Sequence, residues 1–338
     1  MRQRFIFTVL SCALALSAGS PTYHVLRKIH IGGPGFWDYL AIDAAARRLY
    51  VSHGKHVVVV NPDTGKVVGD IPDTDGVHGI AIASDLGRGF TSNGRANTVT
   101  IFDLKTLNTI ATVSTGTNPD CIQYDPATKR VFAFNGRSNS ATVIEAATGK
   151  VLSTIPLGGK PEFAQPDGAG RIYNNLEDKS QLVEIDSRQM KVLHTWPLAP
   201  CESPSGMAID TAHHRLFIGC ENKMMAVVDT TSGKVVATPP IGAGVDGNGF
   251  DPGTGYAFSS NGRDGTMTVV AETAPGKFEA VETVTTQRAA RTMAVDTKTH
   301  NIYLSTAELG PAPAPTADNP RPHPTLVPDT FTVLVVGR

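Results

Sequence analysis

The sequence predicts an all-β fold, a seven-bladed β-propeller of four-stranded antiparallel blades, with the ring closed by the N-terminal strand completing the C-terminal blade. Three observations predict it. Seven short segments recur along the chain: DYLAID at 38–43, HGIAIA at 78–83, DCIQYD at 120–125, EFAQPD at 162–167, SGMAID at 205–210, DGNGFD at 246–251 and RTMAVD at 291–296. Their first residues are spaced by 40, 42, 42, 43, 41 and 45 positions, which is too even for chance and matches the length of a propeller blade. Each segment is followed by the same succession of strand-like runs and turns, with no sustained helical periodicity. The two ends of the chain are out of phase with this repeat, so that together they make one complete unit.

The stretch 1–20 stands outside the repeat. Arg2 and Arg4 precede an apolar run over 5–16, and small residues follow at 17–20. That pattern is a secretory signal peptide, and it predicts a periplasmic or secreted protein. The run is too short for a membrane span, and no later stretch is long enough. The remainder, 21–338, is expected to form one domain. The formal net charge, −1 for the whole chain and −3 without Arg2 and Arg4, gives no global attraction to nucleic acid or an anionic membrane. With 33 Gly and 23 Pro among 338 residues, the composition suits many short strands joined by tight turns.

Within each unit the recurring segment is the first strand. Asp43, Asp125, Asp210, Asp251 and Asp296 stand before polar turns, where a carboxylate accepts hydrogen bonds from nearby backbone amides. The second strand reads LYVS at 49–52, GFTS at 89–92, VFAF at 131–134, LFIG at 216–219 and IYLS at 302–305. The third is rich in β-branched residues, as in HVVVV at 56–60, TVTIF at 98–102 and ATVI at 141–144. A glycine turn, DTGK at 63–66 or ATGK at 147–150, leads to a fourth, VVGDI at 67–71 or VLSTI at 151–155. At the ends, 23–31 reads as a fourth strand with no unit before it, and 331–336 as a third strand with no fourth after it. Joining them removes the exposed edges that an open sheet would leave. Cys201 precedes the first strand of the fifth unit and Cys220 ends its second. A hairpin brings those positions together, so a Cys201–Cys220 disulfide is expected in an exported chain. Cys121 lies within an apolar strand and reads as a small buried hydrophobe.

The second strands YVSH at 50–53, FTSN at 90–93 and FSSN at 258–261 resemble the repeat of the YVTN β-propeller family, and the chain from about 23 to 338 is similar to its YncE-like periplasmic members. The resemblance implies a seven-bladed exported protein with a binding or scaffold role. A DNA-binding role has been proposed within that family, and no shared catalytic motif comes with it.

Antiparallel connectivity places the start of every first strand and the end of every second strand on one face. Asp38, His78, Asp120, Glu162, Ser205, Asp246 and Arg291 are therefore expected to ring the mouth of the central channel and to bind a ligand there. Crowded carboxylates raise each other's pKa unless a cation sits among them. Arg291 serves Asp246 or Asp38. The consecutive arc Asp38, His78, Asp120 and Glu162 has no Arg beside it and is the candidate metal site, where oxygen donors with one imidazole suit Ca²⁺, Mg²⁺ or Mn²⁺. The competing reading is a wet channel whose polar residues merely meet water. Calcium-dependent lactonases and phosphotriesterases with propeller folds use a similar location, but their ligands include Asn, and no ring position here is Asn.

The loops after the second strands share this face. They carry HGK at 53–55, NGR at 93–95, NGR at 135–137, EDK at 177–179, ENK at 221–223 and NGR at 261–263. Asn-Gly is a turn signal because both residues tolerate positive φ. Asn93, Arg95, Asn135, Arg137 and Arg263, with Lys55, make a basic rim that attracts an anionic ligand or a phosphate backbone. Alternatively, those cations are solvated or pair with an acid on the next blade. The seventh loop, 308–329, carries seven prolines together with Arg321 and His323, and is expected to act as a semi-rigid lid. Trp37 either walls the ligand site or packs within a blade. His213 and His214 fall in a turn on the opposite face, where solvent is expected to surround them.

Three functions compete. The first is an exported, monomeric binding or scaffold propeller that takes a small molecule, cation or peptide at the channel mouth. The second is a metal-dependent hydrolase of the lactone or phosphoester type, in which the cation polarises the ester oxygen and His78 or a ring carboxylate activates water. The third is single-stranded DNA binding by Lys55, Arg95, Arg137 and Arg263, which the near-neutral charge and scarce aromatics oppose. The chain carries no Gly-x-Ser-x-Gly, His-Glu-x-x-His or phosphate-loop motif.

Overall fold

A computed structural model describes residues 22–314, 316 and 324–338; the leader pattern at 1–20, and Arg321 and His323, lie outside the described residues. Seven four-stranded antiparallel sheets form the blades. The first strands are Leu40–Asp43, Val77–Ala83, Pro119–Asp125, Pro161–Pro166, Pro204–Asp210, Val245–Asp251 and Met293–Asp296. Each touches the next around the ring, and the last touches the first. The seventh blade is completed by His24–His30, which pairs antiparallel with Thr332–Gly337, His24 opposite Gly337 and His30 opposite Thr332. Tyr23, just before that strand, packs edge-on against Tyr256 and Phe258 of the sixth blade. The expected closure is therefore present.

Burial follows the layers. Second and third strands are covered on both faces by neighbouring blades, and Tyr50, Phe90, Phe132, Phe134, Phe258 and Tyr303 are fully buried there. Each such side chain contributes about 2 kcal/mol of hydrophobic stabilisation. Fourth strands form the outer edge and are half-exposed, as in Val67–Ile71. Cys201 and Cys220 are joined, with Cα atoms 5.5 Å apart, and Cys121 is buried and free. Among the described residues no helix is long and apolar enough to cross a membrane.

A slip in register positions the site. In five blades the pairing of first with second strand jumps at its start, between Val77 and Ile80, Pro119 and Ile122, Pro161 and Ala164, Pro204 and Met207, and Val245 and Asn248. His78, Asp120, Glu162, Ser205 and Asp246 each stand inside that slip. An unpaired residue in a bulge bends the strand and re-aims its side chain. In the first and seventh blades the ladder begins only at Leu40 and Met293, which leaves Asp38 and Arg291 just ahead of it.

Buried hydroxyls hold these bends. Ser52 Oγ accepts from the Asp38 N–H at 2.8 Å. Ser92 Oγ accepts from the Gly79 N–H at 2.9 Å and donates to the Asp120 carbonyl of the next blade. Ser260 Oγ lies between the carbonyls of Gly247, at 2.9 Å, and Arg291. Thr292 Oγ1 donates to the Asp38 carbonyl at 2.7 Å. The serine of the recurring second-strand motif thus fixes the backbone from which the ring side chains project.

At the opposite end of the first strands the acids are satisfied locally. Asp43 accepts from the Ala45 and Ala46 N–H groups at 3.1 and 2.8 Å. Asp125, Asp210, Asp251 and Asp296 do the same with the turns that follow them. Three of the five also reach the next blade: Asp296 lies 2.7 Å from Arg47 Nη1, Asp251 2.8 Å from His300 Nδ1, and Asp43 accepts from Ser84 Oγ at 3.4 Å. His213 is exposed, and its Nδ1 lies 2.7 Å from Asp210.

Candidate functional site

The ring residues meet on one face. His78 Nδ1 lies 2.6 Å from Asp38 Oδ2 and 3.6 Å from Asp120 Oδ1. On the other side Ser205 Oγ donates to Asp246 at 2.8 Å, and Arg291 donates to Asp246. Arg291 Nη2 also lies 3.5 Å from Asp38 and donates to the Trp37 carbonyl at 3.0 Å. Six residues therefore form one polar chain: Ser205, Asp246, Arg291, Asp38, His78 and Asp120.

Glu162 departs from the expected arc. Asp38, His78 and Asp120 each offer a ligand atom within 4.8 Å of the others, and Glu162 is not brought into that group. Its carboxylate lies 3.3 Å from Lys160 Nζ, which also binds Glu177. Lys160 escaped the sequence reading although its signal was present. It stands two residues before Glu162, and extended chain sends such pairs to the same side.

Beneath the ring the channel is spanned. The residues following the seven ring positions are Tyr39, Gly79, Cys121, Phe163, Gly206, Gly247 and Thr292. Five are small. The two aromatics come from opposite blades and meet edge-on with centroids 5.0 Å apart, so the ring is the base of a cup. The Tyr39 phenol is pushed well up by burial and by the charges of Glu162, Asp120, Asp246 and Asp38.

Electrostatics divide the ring. Burial pushes Asp38 up, but the charge of Arg291 and the hydrogen bond from His78 outweigh it and hold the carboxyl below the usual range. Burial lowers His78, yet its bond to Asp38 and the charges of Asp120 and Asp38 win, raising it to about 9. Asp120 is raised by burial, against the pull of His78, to about 7. Glu162 is pushed well up by burial and then by Asp120 and Asp246. Asp246 is also raised, burial outweighing Arg291. Asp120, Glu162 and Asp246 are thus raised, and Asp38, held by both Arg291 and His78, is the ring carboxyl that is lowered.

Two of the expected rim ligands are corrected. Asn93 and Asn135 are 1% and 0% exposed. The Asn93 amide donates to Thr98 and Thr100 at 3.1 and 2.8 Å, and that of Asn135 to Ser140 and Thr142 at 3.1 and 3.0 Å, so both tie their hairpins internally. Positive φ falls instead on Asn97 at 56° and Asn139 at 51°. The glycine of the Asn-Gly pair serves close approach: a Cβ on Gly94 would stand 2.6 Å from His78 Nε2, and one on Gly262 2.7 Å from Arg291 Cβ. The rim cations also divide. Arg263 pairs with Glu221 of the preceding blade, and Arg95 lies 3.6 Å from Asp75. Among the described residues, Lys55 and Arg137 have no acidic partner.

Two lobes lie above the ring, with Arg291 bordering both. The larger, about 960 Å³, is lined by Phe36, Trp37, Asp38, Lys55, Arg95 and Arg137 among others. The smaller, about 660 Å³, carries Glu162, Glu177, Glu221, Asp246, Arg263 and Arg288, with Leu309 and Pro324 from the seventh loop. That loop is pinned at its base, where Gly310 N–H donates to the Thr325 carbonyl at 2.8 Å and Val327 N–H to that of Glu308 at 2.9 Å. Trp37 belongs to the core, 7% exposed and 5.4 Å from the Phe331 ring.

Fold and site together define a class, a closed seven-bladed propeller with a polar cup on one face. No family model matches the chain, and no curated protein matches it. Among solved structures it is similar to a chain of the Kuenenia stuttgartiensis hydrazine synthase, at 15% identity and TM-score 0.71, over 81% of this chain and 94% of that one. It is also similar to the structure of U3-55K, at 9% identity and TM-score 0.73, over 92% and 98%. At such identities the likeness is one of fold alone.

Proposed function

We propose that this chain is an exported binding or scaffold propeller of the YVTN-like kind, and that it takes its ligand on the face bearing the ring. One observation carries the reading: Asp38, His78 and Asp120 converge within 4.8 Å above the Tyr39–Phe163 pair that spans the channel. Asp120 Oδ1 is buried without a hydrogen-bond partner, an orphaned acceptor of the kind that a bound ion satisfies. Two carboxylates and an imidazole suit a divalent cation such as Ca²⁺, Mg²⁺ or Mn²⁺. Asp38 and Asp120 would hold it through oxygen and His78 through a ring nitrogen, the ion taking the place of the imidazole proton. The leader pattern and the disulfide support export.

A hydrolytic role has weaker support. Ser205 donates to Asp246, so the ring presents no Ser–His pair, and a hydrolase would depend on water activated at the same three donors. Nucleic-acid binding is weakened by the pairing of Arg263 with Glu221 and of Arg95 with Asp75.

Equilibrium dialysis of chelator-treated protein against Ca²⁺, Mg²⁺ and Mn²⁺, read by elemental analysis, tests the proposal. Saturable uptake is expected in the wild type and in Glu162→Gln, with loss in Asp120→Asn and His78→Ala. Absence of uptake by the wild type, or uptake untouched by those two substitutions, overturns the cation reading.

A further inference from the structure

We infer that the larger lobe of the mouth binds a small organic anion, its carboxylate or phosphate directed to Lys55 and Arg137 and its apolar body placed against Phe36. The inference rests on the ring face being the binding face and adds the class of ligand.

The first support is charge. Lys55, Arg95, Arg137 and Arg291 line this lobe, with Asp38 the one carboxylate among its lining residues; Asp38 is engaged by Arg291 and His78, Arg291 also pairs with Asp246, and Arg95 lies 3.6 Å from Asp75. Lys55 and Arg137 are exposed, and neither has an acidic partner among the described residues. Cations gathered in a concave site with few counter-charges focus a positive potential that an incoming anion relieves. The smaller lobe differs, because its acids sit among its arginines and Arg263 is taken by Glu221.

The second support is a pair of orphaned polar atoms. Trp37 Nε1 and His53 Nε2 are buried without hydrogen-bond partners, in residues 7% and 2% exposed, and both residues line this lobe. Native proteins leave few such groups unsatisfied. The Trp indole is a donor only, so what this wall of the lobe lacks is an acceptor.

The third support is Phe36. At 71% exposure it is the most exposed of the large hydrophobic residues described. It follows a loop that only glycine can build, with φ of 70°, 79° and 142° at Gly32, Gly33 and Gly35. That loop lies on the His53 ring, since a Cβ on Gly33 or Gly35 would stand 3.3 or 3.2 Å from it. The His53 ring is in turn stacked 4.2 Å from Phe331. The backbone thus fixes a bare aromatic ring at the lip of a cationic cleft. Apolar surface with a few directed polar groups is the usual lining of a small-molecule site.

Calorimetric titration of the full chain with phenyl phosphate, benzoate, inorganic phosphate and benzylamine tests this. Saturable binding of phenyl phosphate or benzoate is expected, the tighter of the two identifying the anionic group, with benzylamine weaker than both. Arg137→Ala should weaken the aromatic anion about tenfold, as for loss of a charge-assisted hydrogen bond. Phe36→Ala should weaken it about threefold while inorganic phosphate binds as before. Both positions are exposed, so a thermal melt matching wild type confirms that the variants fold. The inference fails if neither aromatic anion binds the wild type, if Arg137→Ala leaves the affinity unchanged, or if benzylamine binds as tightly. It fails also if an oligothymidine binds far more tightly, with a steep salt dependence, which would assign the rim to a nucleic-acid strand. Failure of the anions with retained uptake of a divalent ion sinks this inference alone, whereas failure of both sinks the binding face itself.

Discussion

The first strands carry acids at both ends, and the two ends treat them in opposite ways. At the far end Asp296 is fully buried, yet it accepts from the Lys298 N–H and Thr299 Oγ1 and pairs with Arg47. Burial pushes it up, and those bonds more than offset this, leaving it below the usual carboxylate range. At the ring end Asp120 and Glu162 are pushed up, with burial the first cause. Residue type does not separate the two outcomes; local donors do. A turn offers backbone N–H groups two and three residues on. The bulge spends its N–H groups on serines such as Ser92 and leaves the carboxyl to face other blades. One end satisfies its acids, and the other holds perturbed carboxyls of the kind that cluster at functional sites.

Substitution at the far end should have the largest effect. Asp296→Ala strands two turn donors and takes one of the two acids from Arg47, which keeps Asp63, and should cost about 2 kcal/mol in urea unfolding. A loss below about 1 kcal/mol would erase the contrast. Ser92→Ala removes the hydroxyl that fixes the bend under His78 and Asp120, and should cost about 1.5 kcal/mol, together with any cation uptake at the ring; intact uptake would show that the bend needs no staple. Asp120→Asn and Glu162→Gln should be the mildest, neutral or stabilising by about 1 kcal/mol at neutral pH. A clear destabilisation by either would mean that the ring acids are structural after all.

The two ends should also leave opposite pH signatures. Asp296 is held below 3.8, so its stabilisation is present above that value and lost as pH falls through the lower folded value. Asp120 is raised from 3.8 to about 7, so ionising it costs stability progressively as pH rises across that window. His78 is raised from 6.5 to about 9, so its contribution is full below 6.5 and lost as pH rises through about 9. Melting temperature against pH for the wild type and for Asp120→Asn/Glu162→Gln separates these arms. The double variant should keep the acid arm and show a shallower fall above neutrality; identical curves would refute the assignment.

The blades and the ring were legible because seven copies of one segment align, and a column shared by seven blades carries more information than any single motif. The same alignment held the floor, since Tyr39 and Phe163 are the two large residues in an otherwise small column. Asn93 and Asn135 misled because the local meaning of Asn-Gly as a turn was overruled by tertiary packing. Gly94 is there to let His78 pass, and the asparagine before it stays in the strand. Glu162 misled because its partner Lys160 lies ahead of the recurring segment, where no alignment column drew attention to it.

The pairing of His24–His30 with Thr332–Gly337 sets an order of events in the making of this protein. Of the propeller's strands, His24–His30 is made first and is the last to find its place, because its partner lies about 300 residues later and such distant contacts form late. Until then six blades can assemble while this segment waits as a bare edge, the kind of surface that recruits other chains. Its sequence answers the hazard: Arg27 and Lys28 sit mid-strand, so that two waiting copies repel each other until the ring takes the strand in.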